Sequence, residues 1–232
     1  MERKHRLLSA LSVNIILVLL EANMAYHLLF HYGVSFDFSI LRYYHHYSNL
    51  FILISSVILV FSIINELRGR TQNSSYGVRL FRFMAVTSEL LTAAVVVFIR
   101  IPMNNFTDVG ELLLDRTNFL ELILCPVLSY VSFRLFNEYS DFSRKEALLA
   151  SVPTALYSVV MVILNYFNII RGPYIFLLVH EQPIWVSIMV FSLIIFLTYV
   201  IAGTLSIISK REYTQSRGES LVKEFMRDFR LH

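Results

Sequence analysis

Charged residues are scarce in this 232-residue chain, and cysteine, proline and tryptophan are scarcer still. Only 16% of the residues are charged, whereas 56% are hydrophobic. That balance excludes a soluble globular protein of this size, because its surface would carry too little charge. The single cysteine, Cys125, excludes an intramolecular disulfide. The sequence therefore predicts an integral membrane protein.

Long apolar segments occupy nearly the whole chain. A helix needs roughly 20 mostly apolar residues to cross the hydrocarbon core of a bilayer. We place six such helices at about 7–30, 46–66, 79–101, 117–137, 146–169 and 184–208. The predicted fold is all-α, with one six-helix transmembrane domain at 1–209 and a cytoplasmic amphipathic tail at 210–232. Proline disfavours a helical conformation at the preceding residue and bends helices, so Pro102 is expected to end the third helix and Pro126 to bend the fourth.

Basic residues are concentrated on one side of the predicted bundle. If the six helices alternate in direction, sixteen of the 20 Lys and Arg residues lie on the side of the termini. The four on the other side are Arg42, Arg100, Arg116 and Arg171. Loops rich in Lys and Arg stay in the cytoplasm. We therefore predict a multi-pass protein of the cell membrane with both termini cytoplasmic. The basic excess has this topological explanation, and no nucleic-acid partner is expected.

Polar side chains at the start of the second helix are the first candidates for a site. The segment Arg42–Asn49 contains two histidines, three tyrosines, a serine and an asparagine. On a helix His45, Ser48 and Asn49 share one face. Polar groups turned inward at the edge of hydrocarbon are costly, so a functional site is one interpretation. The other is an interfacial belt among lipid headgroups, which fits His46 and the tyrosines equally well.

The fourth helix supplies a carboxylate for this site. Because the second and fourth helices both run inward from the outer surface, Glu121 is expected at the depth of His45. A histidine with a carboxylate partner is the usual apparatus for moving a proton, so His45 and Glu121 are predicted as a catalytic pair. The other predicted pocket residues are Glu21, His46, Ser48, Asn49, Glu89, Asn118 and Asn165. For Glu21, a hydrogen bond that only fixes helix packing is the alternative.

A metal site is the other chemistry that these residue types permit. Histidine and glutamate side chains both bind zinc. However, the sequence contains the pair His45–His46 without a His-x-x-x-His or Glu-x-x-His spacing. From the sequence we therefore predict neither a metal nor a cofactor.

Three short motifs resemble a known family. They are Arg42-Tyr-Tyr-x-x-x-Ser-Asn-Leu-Phe51, Asn118-Phe-Leu-Glu-Leu-Ile-Leu-Cys-Pro-Val-Leu-Ser129 and Arg171-Gly-Pro-Tyr-Ile-Phe-Leu177. Together they resemble bacterial six-helix membrane proteins similar to the androgen-induced and androgen-dependent membrane hydrolases. The resemblance implies hydrolysis of lipid esters of hydroxy fatty acids within the bilayer.

The same resemblance implies a threonine nucleophile on the second helix and a histidine on the fourth. Here the two positions correspond to His45 and Glu121, so threonine-based hydrolysis is not carried over. What remains is an expected pair of reactive side chains at equal depth. We predict an intramembrane lipid-ester hydrolase with an outward-facing polar pocket and membrane lipid as its substrate or ligand. The alternative is a non-catalytic binder of lipid or small molecules, or a proton-coupled transporter, that uses the same pocket.

Overall fold

The described regular structure is entirely helical. The computed structural model describes residues 2–27, 30, 43–71, 74–103, 109–110, 116–136, 142–170 and 180–229. Residues 31–42, which include Arg42 of the first motif, residues 104–108 and 111–115 of a predicted external loop, and the motif at 171–177 lie outside the described residues.

Six helical segments account for most of the described chain. We name them α1 (Glu2–Tyr26), α2 (Tyr44–Leu67), α3 (Tyr76–Val95, continued by Val96–Arg100 and Ile101–Met103), α4 (Arg116–Phe119, Leu120–Leu124 and Cys125–Phe136), α5 (Arg144–Leu149 and Val152–Tyr166) and α6 (Ile184–Phe229). Each overlaps one predicted helix. Helix α6 continues past residue 210 into the predicted tail, so that boundary is not a break in secondary structure.

The described surface and interior have the polarity of a membrane protein. Five segments, in α1, α2, α3, α5 and α6, are long and apolar enough to cross a bilayer. Large apolar side chains such as Leu19, Phe98 and Trp185 are exposed, whereas Asn14, Glu21 and other polar groups are buried. Exposed apolar surface on this scale indicates a lipid environment. These observations support an integral membrane protein, and the crossing by α4 stays a prediction.

Helix α3 lies at the centre of the bundle. It packs against α2, α4 and α6 and contacts α5, while α1 packs against α2 and α4. A helix surrounded in this way buries residues on nearly every face, and α3 buries an almost continuous run from Arg82 to Thr92. One apolar cluster joins α3 to its neighbours through Phe83, whose ring stacks on Phe142 at a centroid distance of 4.4 Å.

Prolines change the helices in a way that the sequence prediction missed. Ile101 precedes Pro102 yet is α-helical, with φ −60° and ψ −50°, and the helix continues to Met103. The described helix thus ends two residues beyond the predicted end at 101. A π-helical segment, Val96–Arg100, comes directly before it, and a second one, Leu120–Leu124, comes just before Pro126. Such segments shift the hydrogen-bond register by one residue. Helix α4 continues past Pro126 to Phe136, and α3 includes Pro102 within its described part, which ends at Met103.

Candidate functional site

The two histidines of α2 lie side by side in its first turn. Tyr43 is extended, with φ −97° and ψ 135°, and the helix begins at Tyr44. The ring centroids of His45 and His46 are 4.1 Å apart, and the Tyr43 ring lies 5.5 Å from the first and 5.7 Å from the second. Adjacent helical residues normally point about 100° apart. Here the imidazole rings of His45 and His46 and the phenol ring of Tyr43 nevertheless lie next to one another.

Glu121 faces His45 from the π-helical part of α4. Its Oε2 lies 3.7 Å from His45 Nε2, and the two side chains are 9% and 24% exposed, respectively. The separation is longer than a good hydrogen bond but is well within electrostatic contact. The two side chains therefore lie close together, as expected from the sequence, and their role as a catalytic pair stays a prediction. The carboxylate is the more buried partner, and the imidazole lies on the more exposed side.

His46 completes a three-residue cluster with this pair. One ligand-type atom from each of His45, His46 and Glu121 lies within 4.8 Å of the other two. This set of donors, two imidazole nitrogens and one carboxylate oxygen, is of the kind that binds Zn²⁺. The sequence spacing gave no sign of it, because the carboxylate comes from another helix.

Ser48 is fully buried between α2 and α3. Its hydroxyl bonds with Thr92 Oγ1 of α3 at 2.8 Å and lies 3.1 Å from the carbonyl oxygen of His45. A hydroxyl held in this way connects two helices and stabilises the first turn of α2. The structure therefore gives Ser48 a positioning role at the backbone of His45.

Asn49 connects the histidine turn to a second buried carboxylate. We orient its amide with the nitrogen toward Glu89, since the reverse orientation would put its oxygen against the carboxylate oxygens. The nitrogen then donates to Glu89 Oε1 at 3.2 Å, to Oε2 at 3.3 Å and to the carbonyl of His45 at 3.0 Å. Two donors, Ser48 and Asn49, thus hold the same carbonyl. Glu89 itself is fully buried.

Glu21 brings a third carboxylate into the same region. It interacts electrostatically with Glu89 and Glu121 and hydrogen-bonds with the thiol of Cys125. Its Oε1 is buried and has no hydrogen-bond partner. Carboxylates from α1, α3 and α4 therefore meet in the interior, where charge is costly unless it is paired or neutralised.

Arg82 is a fully buried cation on the face of α3 that carries Glu89, two turns away. Its Nη1 donates to Ser56 Oγ at 2.8 Å and lies 3.4 Å from Ser55 Oγ, and it interacts electrostatically with Glu89. Its Nε and Nη2 have no hydrogen-bond partner. From its place in the sequence, Arg82 was expected among the basic residues on the cytoplasmic side. The spacing of seven residues between Arg82 and Glu89 puts both on one helix face, and this spacing could have indicated their interaction.

The two remaining predicted pocket residues differ in position. Asn118 is half-buried, one turn before Glu121 on α4. Asn165 is buried near the end of α5, and its amide nitrogen donates to the carbonyl of Ile170 at 3.3 Å, just beyond its own helix. This described hydrogen bond thus joins Asn165 to a residue only five positions further along the chain.

Sequence reasoning also missed two neighbours of the site. Thr92 of α3 bonds Ser48, and Cys125 of α4 hydrogen-bonds Glu21. Both contacts are between helices, so no spacing within one helix could have indicated them.

The assembled site combines an imidazole and carboxylate pair near the surface with a buried carboxylate network behind it. Such an arrangement can accept a proton, bind a cation or polarise water. Comparison of the chain with protein-family models, with curated proteins and with solved structures found no match.

Proposed function

We propose that this chain is an intramembrane hydrolase of lipid esters, embedded in the cell membrane with both termini cytoplasmic. The observation that carries the proposal is the 3.7 Å separation of His45 Nε2 and Glu121 Oε2. The resemblance of the α2 and α4 motifs to membrane lipid hydrolases supports the same choice of positions. The substrate is a membrane lipid whose ester carbonyl reaches the first turn of α2.

The two side chains have distinct roles in this mechanism. With the Nε2 proton of His45 directed at Glu121, the other ring nitrogen, Nδ1, accepts a proton from water. The water oxygen then attacks the ester carbonyl carbon, and the imidazolium returns its proton to the departing alkoxide. A carboxylic acid and an alcohol result. Water is the nucleophile because the hydroxyl of Ser48 is engaged with Thr92 and the His45 carbonyl.

Glu121 orients the imidazole and stabilises its protonated form, as carboxylates do beside catalytic histidines. A pair at 3.7 Å must approach by less than 1 Å to form a good hydrogen bond, and catalytic contacts often tighten only when substrate binds. For the developing oxyanion we propose the amide of Asn118, which is half-buried one turn before Glu121.

Turnover of a long-chain p-nitrophenyl ester by the purified full chain in detergent tests this proposal. We expect His45→Ala to lower kcat by roughly 10²–10⁴-fold, the usual contribution of a general base, and Glu121→Gln to lower it by a similar factor. His180→Ala is the matched control, because His180 is exposed and contacts the Tyr166 carbonyl instead. Unchanged rates in both site variants would contradict the proposal.

A second function, proton binding and transport, is favoured by one observation. Glu21 is buried with an unpaired Oε1 beside two further carboxylates, and buried acidic groups of this kind form proton relays in pumps and transporters. In proteoliposomes with an imposed pH gradient, this function predicts a proton flux that Glu21→Gln and Glu89→Gln abolish. The hydrolase proposal predicts no such flux.

A further inference from the structure

We propose that His45, His46 and Glu121 bind one divalent transition-metal ion of the Zn²⁺ type at the entrance to the buried carboxylate network. The three ligand atoms come from the first turn of α2 and the π-helical segment of α4 and lie within 4.8 Å of one another. This inference goes beyond hydrolysis, because metal binding at this point does not require the chain to be an enzyme. His45 Nε2 cannot donate a proton to Glu121 and bind an ion at the same time, so the metal-bound state is an alternative to the hydrogen-bonded pair of the proposed hydrolase.

The geometry is close to that of a zinc site. Tetrahedral Zn²⁺ with bonds of about 2.0–2.2 Å separates its ligand atoms by roughly 3.3–3.6 Å. The 3.7 Å between His45 Nε2 and Glu121 Oε2 nearly matches that spacing. His46 closes the remaining gap by rotating its ring, which already lies at a centroid distance of 4.1 Å from the ring of His45.

The backbone beneath the ligands is held in place, as an ion-binding site requires. The carbonyl of His45 accepts hydrogen bonds from Ser48 and Asn49, and these two side chains connect in turn to Thr92 and Glu89 of α3. Contacts behind the ligands orient metal sites and strengthen binding. The His45 side chain keeps 24% of its surface exposed. This leaves access for water as a fourth ligand, typical of zinc sites with three protein ligands.

The charge of the interior favours a divalent cation. Glu21, Glu89 and Glu121 interact with one another electrostatically, and Arg82 is the fully buried cation that interacts with Glu89. When all three carboxylates are ionised, they exceed this guanidinium by two negative charges. Uncompensated charge is expensive within a bilayer. One divalent ion bound to neutral imidazoles and Glu121 would supply these two positive charges, in competition with protons bound by the buried carboxylates.

Titration with Co²⁺, followed by displacement with Zn²⁺, tests the site directly. The full chain is purified in detergent, stripped with EDTA and titrated while the visible absorption of Co²⁺ is recorded. We expect one equivalent of Co²⁺ with the intense band of tetrahedral coordination, and full displacement by Zn²⁺. Zn²⁺ also raises the thermal unfolding midpoint, because it binds the folded chain.

Three variants and one control locate the ion. We expect His45→Ala, His46→Ala and Glu121→Gln each to weaken Co²⁺ binding by more than the about 10–100-fold that loss of a supporting contact costs. His46→Ala is the sharpest of these, since the pair of His45 and Glu121 remains intact in it. The control His180→Ala removes an exposed histidine and keeps wild-type affinity. Circular dichroism checks that each variant is folded.

The outcomes separate this proposal from the proposed hydrolase activity. Stoichiometric Co²⁺ binding that is lost in the three variants supports the metal site, even when no ester is turned over. Ester turnover that survives EDTA in a chain that binds no Co²⁺ overturns the metal site and leaves the hydrolase in place. Binding of equal affinity in the wild type and all three variants, or no binding at all, also overturns it.

Discussion

Arg82 carries a full positive charge where few contacts compensate for its burial. Its Nη1 donates to two serine hydroxyls of α2, but its Nε and Nη2 have no hydrogen-bond partner. A buried guanidinium held by so few contacts is expensive. Its electrostatic interaction with the fully buried Glu89 gives a physical reason for its presence. The two side chains therefore depend on each other for stability.

Removing the guanidinium is expected to destabilise the fold. Arg82→Met leaves Glu89 without this buried cation and should lower the free energy of unfolding by about 3 kcal/mol, a typical cost of removing one partner of a buried pair. The double variant Arg82→Met/Glu89→Gln should recover part of that loss, because no acidic side chain then remains at that position. Unfolding in mixed detergent micelles measures all of the variants.

The control for this pair is Arg70→Met, which changes an exposed arginine and should shift the free energy of unfolding by less than about 0.5 kcal/mol. A double-mutant cycle isolates the coupling between Arg82 and Glu89. Strict additivity of the two single substitutions would show that the charges do not stabilise each other.

For individual residues, the sequence predicted where a side chain lies along its helix better than which side chains of other helices it contacts. His45 and Glu121 were paired in the sequence by their expected equal depth and by the resemblance of the two motifs, and their side chains lie 3.7 Å apart. The burial of Arg82 could not be predicted from the sequence in this way. A count of basic residues treats every arginine near a helix end as solvated, whereas burial depends on which helices surround it. Residues such as Thr92 and Cys125 are recognised as neighbours of the site only after the helices are packed.

Helix α4 owes its shape at the site to Pro126. Proline has no N–H to donate to the carbonyl four residues earlier, and the preceding segment Leu120–Leu124 is π-helical, with the N–H of Cys125 donating to the carbonyl of Leu120. The added residue in this turn changes the direction of Glu121. Segments of this kind are frequent at functional sites, and here one carries the carboxylate that faces His45.

Substitution of this proline should affect stability and site function in opposite directions. In Pro126→Ala the restored N–H favours a regular α-helix, with up to about 3 kcal/mol of helix stability regained. Regular winding would rotate Glu121 away from His45, and a misplacement of about 1 Å can lower activity by roughly 100-fold. Thermal unfolding and ester turnover, measured on the same preparation, give the two results.

Pro153→Ala is the matched control for this substitution. Pro153 lies in the first turn of Val152–Tyr166, where a proline costs little because the first N–H groups have no partner within the helix. We expect its turnover and unfolding midpoint to stay near wild type. Full activity in Pro126→Ala would show that the π-helical segment is not needed to position Glu121.

The positions of the helices followed from the sequence, but their internal details did not. Apolar length identifies a helix because a bilayer leaves few other backbone conformations, and each described helix overlaps its predicted range. Proline in a helix permits a kink, a stop or a π-helical turn, and packing selects among them. For this reason the sequence did not predict that the described part of α3 includes Pro102 and ends at Met103. Helix α6 likewise continues to Phe229. The composition changes from apolar to charged near residue 210, but no proline interrupts the helix there.

Across the residues that the structure describes, apolar side chains dominate the exposed surface, and the interior is shared between apolar and polar side chains. Buried positions hold asparagine, glutamate, arginine and many hydroxyls, whereas leucine, isoleucine and phenylalanine dominate the exposed helix faces. Helix α6 is the least buried of the five apolar segments, so it lies at the periphery of the bundle. The start of α2, with His45 and His46 half-buried, is then one region of the described chain where a polar headgroup and ionisable side chains can meet.

Cysteine labelling tests the orientation of the helices and the crossing by α4 together. In a Cys125→Ser background, single cysteines replace the exposed residues Arg70, Lys145 and Glu181, and intact cells are treated with a membrane-impermeant maleimide. Six alternating helices with cytoplasmic termini predict labelling of Glu181→Cys alone, and labelling of the other two only after permeabilisation. If α4 does not cross, Lys145 and Glu181 exchange sides while Arg70 stays cytoplasmic, because every later segment is inverted. Labelling of Arg70→Cys in intact cells would instead show that the whole bundle has the opposite orientation. The cluster of His45, His46 and Glu121 would then lie at the cytoplasmic end.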